Sequence, residues 1–92
     1  MQDFLKEPEN LLWEWGRCMR IGSYSGPHIA RVDNFIKSLP DEIKEPVVCK
    51  FVGKVSTMKG SRLCKISNST YENRVREGKV AVWTFLNVSR EP

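Results

Sequence analysis

The stretch from Thr57 to Val75, Thr-Met-Lys-Gly-Ser-Arg-Leu-Cys-Lys-Ile-Ser-Asn-Ser-Thr-Tyr-Glu-Asn-Arg-Val, leaves the chain few ways to fold. Ser56 or Thr57 can cap a short helix running through Cys64, and Lys65 to Ser67 make a tight turn. Ser67 or Asn68 can then cap a second helix, because Ser-Asn-Ser-Thr offers several side-chain oxygens to the free amides of a first turn. Two helices joined by so short a turn must pack on each other. The fifth position of such a helix-turn-helix has to be small because the helices nearly touch there, and Ser61 occupies it. Cys64 and Ile66 supply apolar plugs on either side of the turn, and Tyr71 and Val75 face inward. Two residues depart from the usual pattern: Gly60 stands at an aliphatic position and Lys65 at a glycine position.

The second helix should continue to about Asn87, since Tyr71, Val75, Val82, Phe85 and Leu86 keep an apolar stripe and no proline intervenes. A glycine inside a helix costs about 1 kcal/mol relative to alanine, so Gly78 points to close approach of another helix rather than to a stop. Lys79 to Phe85 alternates like a strand, but an isolated strand would have no partner, which favours helix.

Upstream, residues 1–9 read as a flexible lead-in, after which Asn10 caps a helix to about Ile21 that Gly22 stops. Leu11, Leu12, Trp15, Cys18 and Met19 form its apolar face, and Trp13 falls off that stripe, either covered by neighbouring chain or offered to a partner. Gly22 to Pro27 reads as a connector. Val32, Phe35, Ile36 and Leu39 predict a second helix from about Ile29 to Leu39, ended by Pro40. Asp41 caps a third, to about Val52, with Ile43, Val47, Val48, Phe51 and Val52 inward. Pro46 either kinks that helix or moves its start to about Glu45. The expected fold is a single all-α domain over 1–92, a bundle of about five helices. Its N-terminal helices lie in 10–53, and the helix-turn-helix with a long final helix in 56–88.

Other chemistries find little purchase. Cys18, Cys49 and Cys64 are odd in number and widely spaced among apolar neighbours, which suits small buried hydrophobes better than a disulfide framework. His28 is the single histidine and there is no Cys-x-x-Cys pair, so no zinc site, other metal or cofactor is expected. There is no Gly-x-Ser-x-Gly elbow and no glycine-rich phosphate loop, and capping accounts for Asp41 and Glu42; the chain does not read as an enzyme. No apolar run approaches the roughly 20 residues of a membrane span, and the N-terminus lacks a signal-peptide pattern, so a cytoplasmic protein with no membrane partner is expected.

Charge is unevenly spread. Residues 1–46 carry six Lys/Arg against eight Asp/Glu, a balance of −2, and residues 47–92 carry nine against three, a balance of +6. A basic half that also holds the helix-turn-helix suits a polyanion, and double-stranded DNA fits the motif. Asn68, Ser69, Glu72, Asn73 and Arg76 would face base edges, since Asn pairs with adenine, Arg with guanine and Glu with a cytosine amino group. Lys54, Lys59, Arg62, Lys65 and Arg74 would hold phosphates and set register.

Taken together, Leu11-Leu-Trp-Glu-Trp-Gly-Arg-Cys-Met-Arg20, Arg31-Val-Asp-Asn-Phe-Ile-Lys-Ser-Leu-Pro40 and Ile66-Ser-Asn-Ser-Thr-Tyr-Glu-Asn-Arg-Val75 resemble the phage late-gene antitermination protein Q family. The likeness covers about residues 10–87 and is to short members, whose C-terminal part is similar to region four of bacterial sigma factors. It implies a factor that binds DNA near a late promoter, loads onto paused bacterial RNA polymerase in the infected or lysogenic host, and drives it through terminators. It also gives DNA contact to Asn68, Ser69, Glu72, Asn73 and Arg76. Trp13 and Arg17 are the candidates for a protein-partner surface. Two alternatives stay open: a simpler DNA-binding regulator, as a homodimer or alone, and a small phage protein that inhibits a host protein through Trp13, Trp83 or nearby apolar surface.

Overall fold

The computed structural model describes residues 4–24 and 26–89. Helix α1 spans Lys6–Ile21 and so begins before Asn10. Pro8 does not close a lead-in; it sits in the first turn, where no amide hydrogen is needed, with its ring buried. Leu5 is also buried, its carbonyl accepts from the Glu9 amide at 2.9 Å, and the Glu9 carboxylate meets Lys79 Nζ at 2.8 Å. The expected lead-in over 1–9 is therefore corrected for residues 4–9, and residues 1–3 lie outside the described chain. Gly22 ends α1 with φ 73°, its amide bonding the Cys18 carbonyl.

Helix α2, Pro27–Lys37, starts on a proline at its first position and stops short of Leu39. Its inward face is Ile29, Val32, Asp33 and Ile36. Asp33 is buried, yet both its oxygens are bonded: Trp15 Nε1 donates to Oδ1 at 3.1 Å, and the Tyr24 hydroxyl (2.7 Å) and Lys37 Nζ (2.9 Å) reach Oδ2. Burial on its own would raise this carboxyl, but the bonds from Lys37, Trp15 and Tyr24 outweigh it and hold the group below the ordinary carboxylate range. The connector after Gly22 thus supplies, through Tyr24, one wall of a polar clamp.

Helix α3, Asp41–Val47, runs on into a π-helical turn, Val48–Val52. Pro40 rather than Asp41 takes the cap position; Asp41 is the first helical residue and pairs with Lys44 at 3.2 Å. Pro46 is accommodated, buried, inside α3. The wider turn puts Phe51 in the core but leaves Val48 exposed, against the expectation that both face inward. Its last carbonyls are claimed by α1: Arg20 Nη1 donates to Phe51 O at 2.8 Å and Val52 O at 3.1 Å. One turn earlier, Gly16 lies so close to the Phe51 carbonyl that a Cβ there would overlap it. Trp13 closes the same contact, with its ring edge-on to Phe51 at 4.6 Å between centroids, so neighbouring chain does cover it.

Helices α4, Thr57–Cys64, and α5, Asn68–Ser89, follow. Tyr71, Val75 and Val82 are buried along α5, and Gly78 faces Val47 and Ile43 of α3, the close helix approach its position suggests. Nearer the end of α5, Phe85 stacks on Phe35 of α2 at 4.5 Å. The core where these helices meet is built on Leu12, Trp15, Ile29, Ile36, Val47, Phe51 and Tyr71.

Candidate nucleic-acid interface

The helix-turn-helix is assembled by local bonds. Ser56 Oγ accepts from the Lys59 amide at 3.2 Å and starts α4; Ser67 Oγ accepts from the Thr70 amide at 3.1 Å and starts α5. Between them Lys65 adopts φ 61°, ψ 42°, the left-handed conformation that glycine usually supplies. Its amide bonds Arg62 O at 3.1 Å and the Ile66 amide bonds Ser61 O at 3.0 Å, so the turn keeps its shape with a side chain in place.

Gly60 is explained by Tyr71. The buried phenol ring occupies the space where a Cβ on residue 60 would stand, so the missing side chain of α4 and the large one of α5 are complementary. The Tyr71 hydroxyl is buried without a hydrogen-bond partner among the described residues, and burial pushes it up to about 12. Ser61 is buried and its Oγ lies 2.9 Å from Met58 O and 2.5 Å from Asn68 Oδ1. Ile66 and Cys64 are only half-buried.

Away from the core, α5 presents Ser69, Asn73 and Arg76 at spacings of four and three, a single stripe on a 3.6-residue helix, and all three are exposed. Glu72 is exposed on the flank of that stripe. Asn68 is exposed as well, but its side chain is drawn back to Ser61. Among the described residues Lys54, Lys59, Arg62, Lys65 and Arg76 are exposed and form no ion pair. Arg74 belongs elsewhere: it turns toward α3, 3.4 Å from Glu77 and 3.9 Å from Glu42. Lys54 also has a left-handed backbone, φ 54°, in the link before α4. Trp13 and Arg17 lie one turn apart on α1, the first half-buried and the second exposed.

Sequence reasoning missed Asp33, Arg20 and the meeting of Cys49 with Cys64. Asp33 carried a signal, since it continues the spacing of Ile29, Val32 and Ile36 and so had to be an acid on an inward face. The other two depend on partners 31 and 15 residues away, which no local pattern marks. Cys18 is a small buried hydrophobe as expected, whereas Cys49 and Cys64 are partly exposed and in contact, which corrects that reading for two of the three.

Among the described residues no helix is long and apolar enough to cross a membrane, and no three His, Cys, Asp or Glu side chains converge as metal ligands. Compared with known protein families, curated proteins and solved structures, the chain has no significant match.

Proposed function

We propose that this chain binds double-stranded DNA, laying the first turns of α5 in the major groove with Ser69, Asn73 and Arg76 toward base edges and Glu72 and Asn68 beside them. The observation that carries this reading is the combination of an exposed polar stripe on the second helix of a helix-turn-helix with the exposed cations Lys54, Lys59, Arg62 and Lys65, without an ion pair among the described residues, on the link, the first helix and the turn. Such cations release counterions from the phosphate backbone and supply affinity, while the stripe supplies discrimination.

The process we propose is antitermination: the DNA-bound protein acts on RNA polymerase near a phage late promoter. Its support is the likeness of residues 11–20, 31–40 and 66–75 to the Q family. Trp13 is largely engaged with Phe51, which leaves Arg17 as the freer of the two residues suggested for the polymerase surface.

Selection of bound sequences from random DNA at two salt concentrations tests the first step. An enriched site is expected, and Asn73→Ala or Arg76→Ala should each weaken it by about 1–3 kcal/mol. Arg74→Ala should leave affinity nearly unchanged, because its guanidinium is turned to Glu77 and Glu42. Absence of enrichment at either salt rejects DNA recognition. Run-off transcription past a terminator then tests the process: read-through that requires both the enriched site and this protein is expected, and site binding without read-through reduces the protein to a simple DNA-binding regulator.

A further inference from the structure

Cys49 lies in the π turn and Cys64 is the last residue of α4, directly before the left-handed Lys65. Their sulfurs are 3.9 Å apart. Both residues are partly exposed, whereas Cys18 is buried in the core. A disulfide requires the sulfurs to close to about 2.05 Å, roughly 1 Å of movement from each side chain. The two backbones are already tied near this point, since the Val55 amide bonds the Cys49 carbonyl at 3.3 Å and Ser56 caps α4.

We propose that Cys49 and Cys64 are a reversible modification site, forming an intrachain disulfide that fastens the helix-turn-helix to the π turn. The oxidant is a small-molecule disulfide. The Cys49 thiolate attacks one of its sulfurs, giving a mixed disulfide on Cys49 and releasing one small thiolate. Cys64 then loses its proton to that thiolate and attacks Cys49 Sγ, expelling the second. Two protein thiols and one small disulfide become one protein disulfide and two small thiols, and a small dithiol reverses the sequence. The order follows from the surroundings: burial, with the neighbouring Cys49 thiol, pushes Cys64 up to about 11, which makes it a poor initiating nucleophile and suits it to the closing step. The inference stands apart from the DNA-binding reading, because it rests on the two sulfurs and not on any ligand.

The test is oxidation of the reduced full chain with oxidised glutathione, alkylation of remaining thiols, and peptide mapping with thermal melting. The expected result is one Cys49–Cys64 linkage within a single chain, a higher melting temperature than the reduced form, and return to the starting state with dithiothreitol. Cys18→Ser should form the same linkage, and Cys64→Ser should stop at a glutathione adduct on Cys49. Free thiols or separate glutathione adducts on both residues in the wild-type chain would overturn the proposal, as would linkages to Cys18 or between chains. A linked form that melts no higher than the reduced one would overturn the fastening role.

Discussion

Around Asp33 both carboxylate oxygens are bonded, whereas beneath the turn a phenol is buried with no hydrogen-bond partner among the described residues. The first cluster holds α1, α2 and the connector by directed bonds from Trp15, Tyr24 and Lys37 to one carboxylate. The second holds α4 to α5 by shape, with Tyr71 filling the space that Gly60 leaves empty and Ser61 buried beside it. The contrast shows two ways of fixing one arrangement of helices. A bonded cluster depends on charge and therefore on pH, while a fitted one depends on volume and tolerates little change in size.

Asp33→Ala should cause the largest loss. It strands the buried Trp15 indole N–H, which costs about 1–3 kcal/mol, and the loss of the charge-assisted bonds from Tyr24 and the exposed Lys37 adds to that in urea denaturation. A loss below about 1 kcal/mol would mean that packing alone holds this end. The pH dependence sharpens the point. The Asp33 carboxyl is depressed in the folded state, so its contribution is present above the ordinary carboxylate pKa and is lost as pH falls through the lower folded value. Asp33→Asn should flatten the acid side of the stability profile. A residual slope should remain from Glu9, held low by its hydrogen bond from Lys79.

The fitted cluster should respond to volume instead. Gly60→Ala forces the Tyr71 ring to move and should cost about 1–3 kcal/mol, with no added pH dependence in the acid range. Combining it with Tyr71→Leu should recover part of that loss, a coupling of at least about 0.5 kcal/mol in a double-mutant cycle. Strict additivity would show that residues 60 and 71 do not share the space ascribed to them.

The smallest expected effect separates stability from affinity. Lys65→Gly relieves the left-handed conformation of a side-chain-bearing residue and should stabilise the fold by about 1 kcal/mol, less the entropy a glycine adds to the unfolded chain. The same change removes a cation from the turn, so affinity for DNA should fall and its salt dependence should flatten by about one phosphate contact. Thermal melting and binding titrations at several salt concentrations read the two effects separately.

The helix-turn-helix was legible from sequence because its signals are local. Ser56 and Ser67 cap through amides three residues away, and the turn needs only the residues between them. Why Gly60 is tolerated was not legible, because the answer is a ring eleven positions along the chain. Proline misled at the other end: Pro8 looked like a boundary, but the first turn of a helix has no use for an amide hydrogen, so the helix begins before it. The polar stripe Ser69, Asn73 and Arg76 followed from helical spacing alone. Its neighbour Arg74 did not, since a guanidinium turned to Glu42 across the bundle cannot be told from a free one by spacing.

Helix α5 runs unbroken for 22 residues, about 33 Å at a rise of 1.5 Å per residue, and Gly78 rests on α3 near its middle. Tyr71 and Val82 are buried on either side of that contact, so the rod is held along most of its length. A displacement of its first turns therefore cannot stay local, because one rigid helix carries it into the packing of the far end. Whatever the first turns of α5 grip, Phe85 and Trp83 near its other end are joined to them by the same helix, and a spectroscopic label placed at residue 83 alone reads that link apart from the indoles of Trp13 and Trp15.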